Sequence, residues 1–200
     1  MWVALEGGDG SGKSTQARLL SDALGAVLTR EPGGTAVGAR IRALLLDPGI
    51  TALDARAEAL LMAADRAQHM AEVVAPALAG GRDVVSDRSA WSSLAYQGYG
   101  RGLPVDALRR LSDWALGGRW PDLAVLIDVP ADVADARLSA AGRAADRFEG
   151  EGDAFHRRVL DGFRTLASAQ PDRWAVVDGT RPVEDVAARV LAVVRARAGA

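Results

Sequence analysis

The sequence predicts an α/β protein, a three-layer α/β/α domain with a five-stranded parallel sheet and a short lid. Three observations predict it. Strand-like and helix-like runs alternate along the whole chain, the pattern of a mostly parallel sheet covered by helices on both faces. The first strand-like run passes straight into a glycine-rich turn and then a helical run, the frame in which α/β folds bind phosphate. The 200 residues contain no internal repeat and no low-complexity linker, which suits one domain with one sizeable core over residues 1–200.

The elements follow in order. Trp2–Glu6 reads as the first strand. Lys13–Leu24 is an amphipathic helix with Ala17, Leu20 and Leu24 on one face, and Gly25 ends it. Residues 26–29 form a second short strand, 30–34 a Pro/Gly loop and 37–46 a helix. Asp47-Pro48-Gly49 is a turn. Residues 54–78 carry a long helical pattern in which Pro76 predicts a kink or break, and Gly80-Gly81 closes it. Residues 83–86 read as a buried strand and 89–99 as a helix. Pro104 suits the first position of a helix running to about Leu116. A fourth strand spans 123–129 and a helix 131–140. Residues 141–152 are polar and glycine-containing, and read as the lid loop. A helix over 155–168, a fifth strand over 174–177 and a closing helix over 183–197 complete the domain.

Composition narrows the function. Charged residues make up 25% and hydrophobic residues 49% of the chain, an ordinary globular balance. A net charge of -2 lacks the basic excess that tracks nucleic-acid backbones. Without cysteine, disulfides and thiolate metal sites are excluded. Charge interrupts every apolar stretch well before the 18 residues of a membrane span. Met1 runs directly into an apolar strand with no signal-peptide pattern, so the expected address is the cytoplasm.

Gly7, Gly8, Asp9, Gly10, Ser11, Gly12, Lys13 and Ser14 match G-x-x-x-x-G-K-[ST], and Thr15 follows. The glycines let backbone N–H groups converge on phosphate oxygens, and the helix N-terminus adds partial positive charge. Lys13 supplies a compact point charge to the β/γ-phosphates, and the Ser14 hydroxyl suits Mg²⁺. Of the 24 lysines and arginines only Lys13 is a lysine. A chain that uses arginine everywhere else keeps lysine here for a specific reason. Asparagine is absent, so the N-K-x-D segment by which GTPases read guanine is absent too. Large ATPases need more chain than this. What remains is an ATP-dependent phosphotransferase of the small-kinase type, which needs an acceptor site beside the phosphate loop.

Four further segments define that site: Thr29-Arg30-Glu31-Pro32-Gly33-Gly34-Thr35, Ala64-Asp65-Arg66-Ala67-Gln68-His69, Asp87-Arg88, and Asp146-Arg147-Phe148-Glu149. With Leu5-Glu6-Gly7 entering the phosphate loop, the sequence resembles the thymidylate kinase (dTMP kinase) family along nearly its full length. The resemblance implies the P-loop kinase form of the fold, ATP and dTMP as substrates, Mg²⁺ as cofactor, and a homodimer built on long helices such as 54–78.

It also implies residue roles. Asp9 sits oddly in a phosphate loop on bare electrostatics; the family uses an acid there to meet the acceptor sugar 3′-hydroxyl and to organise Mg²⁺. Glu31 and Pro32 form one wall of the acceptor pocket and Arg42 faces it. Met62 and Arg66, four apart, share a helix face: the first covers thymine and the second hydrogen-bonds a base carbonyl. Met62 stands where the family usually has an aromatic ring, and a thioether stacks less strongly. Arg88 grips the acceptor phosphate by paired N–H bonds, and Asp87 stands near Mg²⁺ or its waters. Ser92 and Ser93 follow on the next helix, and Ser93 lies where a polar side chain meets the thymine edge. Tyr96 crowds the sugar 2′ position and disfavours ribonucleotides.

Some relatives carry a basic residue inside the phosphate loop. Here that position is Gly10, so the charge that offsets the transition state is expected from the lid arginines, Arg143 and Arg147. Lid closure would exclude water and suppress ATP hydrolysis. His69 and His156, the only histidines, sit in no metal-ligand spacing and read as structural. Trp91, Trp114, Trp120 and Trp174 read as core or interface. Two alternatives stay open: a small kinase for another nucleoside monophosphate or for a deoxynucleoside, to which Asp87-Arg88-Ser89 is similar, and a nucleotide-binding switch without catalysis.

Overall fold

The structure is a computed structural model that describes residues 1–140, 142 and 146–199. Five strands, β1 (Trp2–Glu6), β2 (Val27–Arg30), β3 (Val84–Asp87), β4 (Leu123–Asp128) and β5 (Trp174–Asp178), form one sheet in the order β2-β3-β1-β4-β5. Every pairing is parallel. β1 is buried at every position and β4 at all but its last, because helices cover both faces. The edge strands β2 and β5 are only partly buried.

The helices are α1 (Lys13–Leu24), α2 (Ala36–Leu46), α3 (Ala55–His69), α4 (Ala75–Ala79), α5 (Ala90–Ser93), α6 (Val105–Leu116), α7 (Ala131–Ala140), α8 (Asp153–Ala169) and α9 (Val183–Ala198). Alternation along the strands sorts the cores. Val3, Leu5, Val125 and Ile127 point to one face, where they meet Ala17 and Leu20 of α1 and Val186, Val190 and Val194 of α9. Ala124 and Leu126 point to the other, where Trp91, Leu94 and Phe163 fill a second core under α3, α6 and α8.

Element order and type agree with the sequence-based expectation, and bounds move by a residue or two, as helix and strand ends do. The exception lies at Pro76. No break occurs there: α3 passes into a π-helical turn, Met70–Val74, and then α4. The Ala75 N–H reaches back to the Met70 carbonyl, and the widened turn lets the chain carry a proline, whose ring would otherwise crowd the carbonyl four residues back. A second π-helical stretch, Leu94–Gly100, continues α5 and carries Tyr96 and Gln97.

Register sets the site. Leu5 lies opposite Asp87, and Asp87 opposite Arg30, so β1, β2 and β3 end level. The Arg88 N–H donates to the Leu5 carbonyl at 2.9 Å. From β1 the chain winds to β2 and β3 on one side, and then to β4 on the other. The loops after β1 and β3 therefore flank the crevice where open α/β sheets bind ligands.

Candidate active site

The phosphate loop spans the turn between β1 and α1. Gly12 caps α1 in the left-handed region, φ 87°, and Thr15 is exposed on the first turn. Gly10 has φ 76°, and a Cβ there would stand 2.5 Å from the Ala134 carbonyl of α7. Both facts exclude a side chain, so no basic residue fits at this position while α7 keeps its place. The Lys13 ammonium is buried, donates to the Gly8 carbonyl at 3.0 Å and lies 3.6 Å from Asp9 Oδ1. Burial lowers its pKa, and the Arg88 charge beside it adds to that.

Asp9 ties this loop to the end of β3. Arg88 Nη2 donates to its Oδ1 at 2.6 Å, and the Tyr96 hydroxyl donates to its Oδ2 at 2.8 Å. Burial opposes its ionisation, but Arg88 and Lys13 outweigh burial and hold the carboxyl well below the usual carboxylate range. Burial, reinforced by Asp9, pushes the Tyr96 phenol up, so it stays neutral and donates. Arg88 has φ 71°, a left-handed conformation that costs a non-glycine residue. It is held there by bonds to Asp9, to the Gly7 carbonyl at 2.9 Å and to Ser92 Oγ at 3.1 Å.

Behind Arg88 stands Glu6, fully buried. Ser89 and Ser92 hydroxyls donate to its two oxygens, each at 2.6 Å. Burial pushes the Glu6 carboxyl up to about 7, against the pull of the two serines and Arg88. Ser89 also accepts from the Trp91 N–H and caps α5, which accounts for a small hydroxyl at that position. Sequence reading missed Glu6, although an acid closing an otherwise apolar strand was a visible signal.

A third cluster lies across the pocket. Arg66 Nε donates to Glu31 Oε2 and its Nη2 to Ser93 Oγ, both at 2.9 Å. His69 Nδ1 meets Glu31 Oε1 at 2.9 Å and its Nε2 meets Thr29 Oγ1 at 2.7 Å. The Glu31–Pro32 peptide is cis. Arg42 Nη1 donates to the Pro32 carbonyl at 3.0 Å. His69, read as merely structural, thus orients the carboxylate that holds Arg66. Asp65 accepts from the Gly33 N–H at 2.9 Å and clamps the Pro/Gly loop.

Asp9, Glu31, Pro32, Arg42, Met62, Arg66, Arg88, Ser92, Ser93 and Tyr96, all expected at the acceptor, line one pocket. It encloses about 560 Å³ of space including its open mouth. Leu46, Asp65, Ser89, Gln97, Asp146 and Phe148 complete its walls. Phe148 carried a signal that went unused: a lone aromatic in a polar, glycine-containing stretch.

The Mg²⁺ expectation can be tested on Ser14 and Asp87. The Ser14 hydroxyl donates to Asp87 Oδ2 at 2.5 Å, and Asp87 Oδ1 is buried with no hydrogen-bond partner. A hydroxyl paired with an unsatisfied carboxylate oxygen beside a phosphate loop fits a hydrated Mg²⁺. No group of three His, Cys, Asp or Glu is arranged for a metal among the described residues; Mg²⁺ carried by nucleotide phosphates needs none.

Of the two lid arginines the structure describes one. Arg147 does not face the phosphate loop: its Nη1 pairs with buried Glu58 at 2.7 Å and its Nε donates to the Leu45 carbonyl at 2.8 Å. These contacts tie the guanidinium to α2 and α3, while its Nη2 is buried without a hydrogen-bond partner. Arg143 lies outside the described residues. A different arginine, Arg137 of α7, touches the loop, donating to the Ser11 carbonyl at 3.4 Å and the Gly179 carbonyl at 2.9 Å.

Comparison with known proteins follows this geometry. A family model described as thymidylate kinase matches residues 5–190. This chain belongs to the thymidylate kinase family. The thymidylate kinase of Desulfovibrio desulfuricans is 47% identical over 197 residues, covering 93% of this chain and 91% of that protein. That of Leifsonia xyli is 50% identical over 195 residues, covering 95% and 92%. The crystal structure of thymidylate kinase from Ehrlichia chaffeensis superposes with a TM-score of 0.80 at 32% identity, over 98% of both chains. The matched range takes in the phosphate loop and every residue that lines the pocket.

Glu6 gives a prediction. Its folded-state pKa of about 7 lies above the ordinary 4.5, so the folded protein holds a proton that the unfolded chain releases. Its contribution to stability is intact below about pH 4.5 and is lost as pH rises through about 7, a change of about 3 kcal/mol. Glu6→Gln mimics the protonated form. Urea unfolding at pH 5 and pH 8 is expected to show the variant gaining on the wild type at the higher pH.

Proposed function

We propose that this protein transfers the γ-phosphoryl group of ATP to dTMP, giving ADP and dTDP. One observation carries the proposal: Asp9 of the phosphate loop is bonded to Arg88 and Tyr96 of the acceptor pocket, so donor and acceptor sites share a wall. Membership of the thymidylate kinase family supports the choice of acceptor.

The chemistry asks for positioning and charge, not for a base. An oxygen of the acceptor monoester, already anionic, attacks the γ-phosphorus, and the bond to the β,γ-bridging oxygen breaks with ADP leaving. The backbone N–H groups of 7–14 and Lys13 hold the donor phosphates. Ser14 and Asp87 would hold Mg²⁺, which when bound would supply further positive charge to the donor phosphates. Arg88 holds the acceptor phosphate and Asp9 the sugar 3′-hydroxyl. Met62 covers the base, while Arg66 and Ser93 meet its polar edge, with Arg66 kept rigid by Glu31 and His69. Tyr96 is pinned through its hydroxyl, so its ring cannot swing aside for a 2′-hydroxyl. Since Gly10 tolerates no side chain and Arg147 is engaged elsewhere, the remaining transition-state charge is assigned to Arg143.

A homodimer is proposed on α3 and α6, which pack side by side and expose Leu60 at 58% and Trp114 at 83%. Exposed apolar side chains of that size suit an interface. Among the described residues no helix is long and apolar enough to cross a membrane, and the nucleotide substrates suggest the cytoplasm as compartment.

Three measurements test these statements. ADP release over a panel of nucleoside monophosphates and deoxynucleosides is expected to be fastest with dTMP, and Lys13→Ala to abolish it with an unchanged circular-dichroism spectrum. Turnover with another acceptor but not dTMP would overturn the assignment. Arg143→Ala is expected to lower kcat by roughly 10³–10⁵ while changing KM little. Sedimentation is expected to give a dimer for the wild type and a monomer for Leu60→Glu/Trp114→Glu.

A further inference from the structure

Glu58 is fully buried in the first turn of α3, yet it does not line the acceptor pocket. Its carboxylate receives donors from three directions. Arg147 Nη1 reaches Oε2 at 2.7 Å. Arg101 Nη2 reaches Oε2 at 3.1 Å and its Nε reaches Oε1 at 3.3 Å. Gln97 Nε2 reaches Oε1 at 2.8 Å. Both arginines then hold the turn at 146–151. Arg147 binds the end of α2 through the Leu45 carbonyl, and its own N–H donates to the Leu46 carbonyl at 3.2 Å. Arg101 also pairs with Glu151 at 2.5 Å.

Stability alone gives no reason for such a triad. Holding a fully buried carboxylate between two partly buried guanidinium groups is expensive, and well-packed apolar side chains hold a core as well or better. What charges with fixed hydrogen-bond directions supply, and apolar side chains do not, is one geometry. The turn at 146–151 needs that: among its described side chains only Phe148 is buried. The Arg147 guanidinium stacks over the Phe148 ring at 4.5 Å. That ring forms part of the acceptor-pocket wall and meets Tyr96 edge-on at 5.7 Å and 89°.

We infer that Glu58 is a positioning residue for the acceptor: through Arg147 and Arg101 it fixes the 146–151 turn, and with it the Phe148 wall behind Tyr96. The inference rests on the proposed acceptor pocket. No residue of the phosphate loop bonds directly to this cluster, so its effect is expected at the acceptor before the donor.

Glu58→Gln is the informative change, because both carboxylate oxygens face only donors. Whichever way the amide turns, its NH₂ meets another N–H. The expected result is a raised KM for dTMP, a fall in kcat/KM for dTMP of about 10²-fold, and an unchanged KM for ATP. Trypsin cleavage after Arg147, followed by mass spectrometry on the native protein, is expected to accelerate. Arg147→Lys keeps the charge but cannot bridge Glu58 and Leu45 or stack on Phe148. It is expected to move the same quantities in the same direction, and carries the test if Glu58→Gln does not fold. A lowered unfolding midpoint with both KM values unchanged would mean a purely structural role and overturn the inference. So would faster cleavage at Arg147 with unaltered dTMP kinetics. If the wild type itself does not use dTMP, the functional proposal fails, while slow cleavage at Arg147 in the wild type and fast cleavage in the variants still report on the anchor.

Discussion

The contact between Asp9 and Arg88, 2.6 Å long, is the constraint on which the rest of the site depends. It joins the loop after β1 to the residue after β3, and it is partly buried, so removing either charge leaves the other in a poorly solvated place. Lys13 and Tyr96 complete the arrangement: one adds positive charge beside Asp9, the other a neutral hydroxyl. Arg88 accepts a left-handed backbone to make these bonds. Strain of that kind persists only where surrounding structure over-determines it, and here the Gly7 carbonyl and Ser92 do so.

The other polar clusters repeat one device. In each, a buried carboxylate from one element fixes an arginine or hydroxyl on another: Glu6 for Ser89 and Ser92, Glu31 for Arg66, Glu58 for Arg101 and Arg147. None of the three acids is aimed at solvent, and only Glu31 lines the pocket itself. Such clusters cost desolvation and return directionality, which suits a reaction that depends on alignment more than on covalent help from the protein. Glu6 differs in having no direct hydrogen bond from a cation: its two oxygens accept from Ser89 and Ser92, and burial dominates its ionisation.

The supply of positive charge to the transferring phosphoryl group is where sequence and structure part. Gly10 excludes a basic side chain because α7 lies against it, a reason no motif states. Arg147 looked available because it sits in a polar loop between charged neighbours. It is engaged because Glu58, 89 positions earlier in the chain, turns inward at the same place. The break at Pro76 is absent for a related reason: proline removes one donor, but a local widening to a π turn absorbs the loss.

The sequence by itself determined the sheet and the phosphate loop, and the family resemblance pointed to the residues that line the pocket. Strand alternation, glycine spacing and helix periodicity are local signals, and Lys13, Ser14, Arg66 and Arg88 sit at fixed offsets from them. Only the tertiary structure decided which charges meet. The pairings Asp9 with Arg88, Glu31 with His69 and Glu58 with Arg147 join residues far apart in the chain, and each partner alone is an ordinary polar residue on a helix or loop. Whether an arginine binds substrate or braces a wall is set by the nearest buried carboxylate, and that distance exists only after the sheet has brought the segments together.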